Sequence, residues 1–412
     1  MLVVQPRMGM SDPEVMRTGL LATRGAAACT VGTITVDSYT RQDDLHAIAE
    51  ALRGGRPLNG FPIASFPAET TRALLDGLCD ERFPVQVRHG SAQPQRIVRA
   101  LTKVGLHATE GGPISYCLPY GRTPLADSVR NWREACELLA DADERPHLES
   151  FGGCMLGQLC PPGLLVAISV LEAMFFQQNG IADVSVSYAQ QTDPGQDLEA
   201  VTALRRLCGE LLSGTWHIVI YTAMGMYPRT PEGALSVLGD SAELAVRGGA
   251  QRLIVKTVAE AARIPTVAEN ISALEYADAV ARRVRAAEPP EHERTGGQVY
   301  RESRALVEAV LDQGVDLGDA LQRAFARGLL DVPFCLHPDN AGRARGRIDP
   351  DGRLGWAEIG ALPLRGLVDT SAEAALTAAD FLASLSHIQR TYDTVALATG
   401  PRPIETNSGV RR

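Results

Sequence analysis

Arginines, a glutamate and tyrosines stand just past strand-like runs of this chain, a set of residue types suited to holding a small molecule with two carboxylates and an ammonium group. Residues 2–5 lead into Pro6-Arg7, residues 33–36 into Asp37-Ser38-Tyr39-Thr40-Arg41, and residues 84–88 end in Arg88 and lead into His89-Gly90. A guanidinium binds both oxygens of a carboxylate through one planar fork and stays charged at any working pH. A single arginine of this kind reads as a rim salt bridge or a solvated charge; three at strand ends read as a site for a dianion. Residues 107–110 add Glu110, followed by Gly111-Gly112-Pro113-Ile114-Ser115-Tyr116 and by Pro119-Tyr120. A carboxylate among arginines repels another carboxylate but pairs with an ammonium, so the combination fits an amino-dicarboxylate. Taken alone, Glu110 reads as a structural acid facing the arginines. Further on, Leu253-Ile254-Val255-Lys256-Thr257 runs into a lysine, with Glu260 four residues beyond Lys256. That pair reads either as an ion pair capping the strand ends or as a grip on the hydroxyls of a bound cofactor.

These residues need a frame that gathers strand ends. Strand-like runs fall at 2–5, 33–36, 84–88, 107–110, 184–188, 217–221 and 252–256, with weaker ones at 58–62 and 148–151. Between them lie amphipathic stretches at 44–53, 71–78, 96–104, 126–140, 198–212 and 232–247, apolar at three- and four-residue spacing. Repeated alternation of this kind implies a parallel sheet, doubly wound or closed. No GxGxxG follows the first strand, which disfavours a dinucleotide-binding fold. The expectation is an α/β protein, a TIM (β/α)8 barrel with its site at the C-terminal strand ends. Nine candidates for eight strands mean that one is wrong. After residue 288 the pattern changes: Pro289 and Pro290, a linker at 291–297, helices at 299–313 and 317–327, a Gly- and Pro-punctuated segment at 331–366, a helix at 372–392 and a loose tail. The division expected is a catalytic barrel over 1–288 and a helical and irregular extension over 289–412, packed on the barrel.

Composition narrows the class. With 412 residues, 45% hydrophobic and 22% charged, the chain has the make-up of an ordinary globular protein with a large core. A net charge of -9 lacks the basic stripe of a nucleic-acid binder. Eight cysteines form no CxxC pair, and the nearest two, Cys154 and Cys160, fit no zinc spacing, so no metal site is expected and the thiols read as reduced and cytoplasmic. The start, Met-Leu-Val-Val-Gln-Pro-Arg, is not a signal peptide. The most apolar stretch, 163–176, is too short to span a bilayer and is broken by Glu172, so a buried helix is expected.

The motifs QPRMG (5–9), DSYTRQ (37–42), LNGFP (58–62), VRHG (87–90), TEGGPISYCLPY (109–120), FGG…CPP (151–162), IVKTVAEAARIPT (254–266) and GLLDVPF (328–334), in this order, resemble the epsilon (E) subunit of glutamate mutase, also called methylaspartate mutase. The resemblance implies a TIM barrel that closes against a separate small cobalamin-binding subunit. It implies a substrate claw of Arg7, Arg41 and Arg88 with His89 beside it. Glu110 would contact the substrate amino group and act as a base, and Tyr116 and Tyr120 would complete the pocket. Adenosylcobalamin would meet Gly9, Asn59, Pro119, Tyr227, Lys256, Glu260 and Ile264, with the lysine and glutamate on its ribose. The implied reaction is a radical isomerisation of L-glutamate to 3-methylaspartate, in which the substrate radical splits into acrylate and a glycyl radical and recombines.

Two departures accompany the resemblance. The first strand begins at Leu2, where the family carries an N-terminal extension, so subunit contacts made by that extension are not expected. The run Ala223-Met224-Gly225-Met226-Tyr227-Pro228 differs from the family's HQWMGGFP, with Tyr227 in place of Phe. Asp44-Leu45-His46 begins like the DxHxxG signature of cobalamin modules, but Ala49 breaks it, and the partner subunit is expected to supply the cobalt-ligating histidine. A homodimer of this chain within a heterotetramer is the expected assembly. The alternative is a cofactor-independent barrel lyase or isomerase acting on an amino-dicarboxylate, with Glu110 and His89 as acid and base.

Overall fold

The computed structural model describes residues 1–119, 121–143, 145–152, 159–284, 297–370 and 377–399. Among them, eight parallel strands alternate with helices: β1 (Val3–Gln5), β2 (Gly32–Thr35), β3 (Val85–Arg88), β4 (Ala108–Gly111), β5 (His147–Ser150), β6 (Asp183–Ala189), β7 (Thr215–Tyr221) and β8 (Arg252–Ile254). The sheet order is β1-β8-β7-β6-β5-β4-β3-β2, and a parallel bridge between Val4 and Thr30 draws its two ends together. This is the TIM barrel that the strand–helix alternation predicts.

The surplus strand candidate is 58–62. Phe61 makes a single bridge to Val36, and Pro62 has no N–H to extend a ladder. The weaker run at 148–151 is β5. It carries two polar residues, Glu149 and Ser150, both fully buried, which mask its strand character in the sequence.

The barrel helices are α1 (Pro13–Gly25), α2 (Ser38–Arg41), α3 (Leu45–Arg53), α4 (Ala68–Leu75), α5 (Gln95–Lys103), α6 (Leu125–Ala142), α7 (Pro162–Gln178), α8 (Pro194–Leu211), α9 (Pro231–Arg247) and α10 (Val267–Arg283). Asp12, Asp193 and Thr230 cap α1, α8 and α9, each accepting a first-turn amide and each followed by a proline that needs no partner there. These caps stop each strand-to-helix loop at a fixed place, which holds the strand ends on one rim.

The apolar run at 163–176 lies in α7. This helix is buried on nearly every side, against β5 and β6 on one face and against α11 (Gln298–Leu311) and α12 (Leu317–Arg327) on the other. Within 331–366 the chain forms an antiparallel hairpin, β9 (Ala344–Ile348) with β10 (Leu354–Ile359), which the glycine and proline punctuation hides. The Trp356 indole of β10 donates to Glu302 of α11 at 2.9 Å. The single helix expected at 372–392 is two, α13 (Ala378–Leu385) and α14 (His387–Thr399), parted at Ser386, whose hydroxyl takes the Leu382 carbonyl. Residues 291–296, 371–376 and 400–412 lie outside the described residues, as do Tyr120 and Cys154. No helix among the described residues is long and apolar enough to cross a membrane.

Candidate active site

Neighbouring strands β3 and β4 bring Arg88 and Glu110 together at the mouth of the barrel. Arg88 Nε donates to Glu110 Oε2 at 2.6 Å, with both side chains almost completely shielded from solvent. Tyr116 donates its hydroxyl to Glu110 Oε1. From β7, the Tyr221 hydroxyl sits between Glu110 Oε2, at 2.8 Å, and Glu149 Oε1. The guanidinium carbon of Arg88 lies 5.2 Å from the centre of the Tyr221 ring and 5.9 Å from that of Phe151. Burial opposes the charge on Arg88, but Glu110 outweighs it and keeps the guanidinium cationic. Burial likewise raises Tyr221, with Glu110 and Glu149 adding to it, so the phenol keeps its proton.

His89 follows β3 directly. Its ring stacks on Trp132 at 5.7 Å and meets Tyr116 edge-on at 5.3 Å. The Ser91 amide donates to its Nδ1 at 3.1 Å, which assigns the proton of the neutral ring to Nε2. That Nε2 is buried and has no partner among the described residues. It is a spare donor, shielded from solvent beside the Trp132 and Tyr116 rings. Burial lowers His89 to about 4, Glu110 resists this, and Arg41 and Arg88 add to the lowering. Arg41 at the end of α2 reaches the same place: a β-carbon at Gly90 would stand 2.8 Å from its Cδ. Arg41, Gly90, Ser91, Tyr116 and Thr123 line a cavity of about 310 Å3 here.

The shift at His89 has a measurable consequence. Its imidazole takes a proton more readily in the unfolded chain (about 6.5) than in the folded one (about 4), so protons favour unfolding between those values. The stability this group contributes is complete above pH 6.5 and is lost as pH falls toward 4, on the order of 3 kcal/mol. His217, lowered to about 3 chiefly by burial, acts in the same direction. Urea midpoints are expected to fall across this window, and His89→Gln should flatten part of the fall. Parallel profiles for the two proteins would contradict the assignment.

Arg7 takes a different partner. β1 and β8 are neighbours, so Glu260, in the loop after β8, presents its carboxylate to Arg7, with Nη1 2.7 Å from Oε1. Lys256 Nζ lies 3.6 Å from the same oxygen and 4.8 Å from the centre of the Tyr227 ring. Burial lowers Lys256 to about 8, with Glu260 opposing and Arg7 assisting. Burial would raise Glu260, but Arg7 and Lys256 together hold it low. Of the three expected claw arginines, Arg41 and Arg88 thus press on one imidazole, whereas Arg7 joins the lysine–glutamate pair.

The remaining expected residues surround these two groups. A side chain at Gly9 would stand 2.1 Å from the Thr35 carbonyl, so only glycine permits that crossing of loops. Asn59 is exposed and accepts the Ser38 amide at 2.9 Å. Pro119 is half-buried, and Ile264 is 57% exposed on the rim. Tyr227 is buried, its hydroxyl donating to the Ala234 carbonyl at 3.2 Å and its own carbonyl accepting from Gln389 of α14 at 2.9 Å. His46 is an exposed residue of α3, and Asp44 caps that helix.

Below the mouth lies a polar layer that the strand-end reading does not reach. Glu149 receives Arg252 and the Tyr221 hydroxyl, and it accepts from the Gln86 side-chain amide at 3.2 Å and from Ser185 at 3.3 Å. Arg252 also donates to Gln5. Burial works to raise Glu149, but Arg252 and the Tyr221 hydrogen bond prevail and keep it ionised. The signal was present as Gln5, Gln86, Glu149 and Arg252, four polar residues inside short strands where branched aliphatics usually fill the barrel.

Comparison with known proteins identifies the family. A family model described as "Methylaspartate mutase E chain (MutE)" matches residues 1–381. The glutamate mutase epsilon subunit of Yersinia enterocolitica is 30% identical, the aligned part covering 82% of this chain and 73% of that one. The Halobacterium salinarum epsilon subunit is 31% identical, with 80% and 71% covered. The Treponema denticola epsilon subunit is 28% identical, with 93% and 84% covered. On a match that runs from the first strand past the hairpin, this chain belongs to the methylaspartate mutase E chain family.

Proposed function

We propose that this chain is the catalytic subunit of a glutamate mutase and isomerises L-glutamate to 3-methylaspartate. The observation that carries the reading is the buried Arg88–Glu110 pair, flanked by Arg41 and by a His89 Nε2–H that has no partner among the described residues. Arg41 and Arg88 offer forks for carboxylates, His89 adds a neutral donor, and Glu110 offers the negative charge an ammonium needs. Arg88 and Glu110 hold one another as well, so each is fixed in orientation before a ligand arrives. A substrate whose fragments must part and recombine needs both ends tethered and water kept out, and a buried, charge-matched pocket meets both needs.

The family's cofactor is adenosylcobalamin, and the second cluster suits its adenosyl end. Lys256 donates and Glu260 accepts, as a ribose diol requires. The exposed Ile264, four residues past Glu260, offers apolar surface on the same loop. When bound, adenosylcobalamin supplies the radical that takes a hydrogen from the substrate. This chain's share is to bind and orient glutamate, to keep the Lys256–Glu260 pair beside it, and to shield both. A cobalt-ligating histidine is assigned to a small partner subunit bearing DxHxxG, since His46 is an exposed helix residue without that signature. The cofactor-independent lyase needed His89 to titrate near neutral pH; an imidazole lowered to about 4 does not serve as that base.

Mixing the chain with a cobalamin-binding partner subunit, adenosylcobalamin and glutamate tests the proposal. Methylaspartate is expected in the full mixture and in no mixture lacking a component. Turnover without cobalamin would replace this reading with the lyase.

A further inference from the structure

Glu172 is the single charged residue of α7, and it is fully buried. Its Oε1 accepts the backbone amides of Ile114 at 2.9 Å and Ser115 at 2.8 Å, while its Oε2 has no partner among the described residues. No lysine or arginine pairs with it among those residues. A carboxylate so placed costs more than a leucine would in the same apolar helix, so its presence calls for an account beyond core packing.

The loop it grips supplies that account. Ile114 and Ser115 lead directly into Tyr116, whose hydroxyl donates to Glu110. Gly112 stands at φ +156°, and a β-carbon there would lie 2.1 Å from the Glu172 carboxyl group. The loop therefore passes over the carboxylate with no room for a side chain, and the carboxylate captures the two amides just past the crossing. Burial raises Glu172 to about 7, with the Ser115 and Ile114 amides opposing.

We propose that Glu172 is a positioning residue of the active site, setting Tyr116 against Glu110 by holding the Ile114 and Ser115 amides from the helix behind. The inference rests on the mutase reading and names a residue outside the expected substrate and cofactor contacts. In the complete mixture, Glu172→Leu should raise the KM for glutamate about tenfold or more; it relieves a buried carboxylate but leaves two amides without an acceptor, so its melting temperature does not carry the test. Glu172→Gln keeps an oxygen for both amides and should stay within about threefold of the wild type. A merely structural role would leave the KM unchanged in the folded leucine variant. Amide hydrogen exchange supplies a readout that does not depend on turnover: Ile114 and Ser115 should be protected in the wild type and in Glu172→Gln. A folded Glu172→Leu with wild-type KM would overturn the proposal, as would unprotected amides in the wild type, which settles the matter even if the leucine variant fails to fold. A wild-type chain that never converts glutamate would remove the mutase reading, and the exchange comparison would still decide whether the clamp exists.

Discussion

Arg88→Lys is expected to lower kcat/KM for glutamate by about a hundredfold or more, with the fold intact. The guanidinium combines three features that an ammonium cannot combine. Its Nε holds Glu110 at 2.6 Å, its guanidinium carbon lies 5.2 Å and 5.9 Å from the Tyr221 and Phe151 ring centres, and its other nitrogens take no hydrogen bond among the described residues. Lysine keeps the positive charge that Glu110 needs, so the pair survives and the protein stays folded. It gives up the fork, and a partly broken buried charge contact costs on the order of 3 kcal/mol, about two powers of ten in rate. Steady-state kinetics in the complete mixture, with circular dichroism on the same sample, reads both effects. Wild-type turnover would remove Arg88 from the substrate site.

Glu110→Gln is expected to cost stability as well as activity. Three donors converge on this carboxylate, from Arg88, Tyr116 and Tyr221, in a part of the barrel almost closed to water. Neutralising it leaves Arg88 buried beside ring faces without its direct counter-charge, a change worth roughly 3 kcal/mol of folding free energy. Turnover should fall at least about a hundredfold, because the amino group of the substrate loses its anion. A double change, Arg88→Met with Glu110→Leu, separates the two losses. Removing both charges should recover much of the stability while leaving no activity. Recovery of activity in the double variant would show that the pair only holds the barrel together.

The barrel was legible because strand and helix periods alternate cleanly, and caps such as Asp193-Pro194 and Thr230-Pro231 mark where loops end. Two kinds of element were not. Run 58–62 imitates a strand by its apolar residues, but a strand needs a neighbour's ladder, and that depends on distant residues. The β9–β10 hairpin failed the reverse way, its glycines and arginines obscuring the alternation around Trp356. The site divides similarly. Arg41, Arg88, His89 and Glu110 could be read from their places at strand ends, since the chain's direction alone sets which rim they face. Arg7 could be placed on the rim but its partner could not, because contact with Glu260 follows from β1 lying beside β8. Tyr221 and Glu172 were hidden for the same reason: each matters through a residue on another element, and sequence spacing carries no trace of that contact; Glu149 showed only as a polar residue inside a short strand. Tyr116 could be named but not its hydrogen bond.

The proposed mutase site at the barrel mouth recognises two carboxylates and one ammonium group together. Calorimetric titration of the assembled protein with L-glutamate, glutarate and 4-aminobutyrate tests it most directly, because each analogue removes one charged group and little else. Binding is expected to be tightest for glutamate and about tenfold or more weaker for each analogue, as a desolvated charge on the protein is left unmatched. Equal affinity for all three ligands would contradict it.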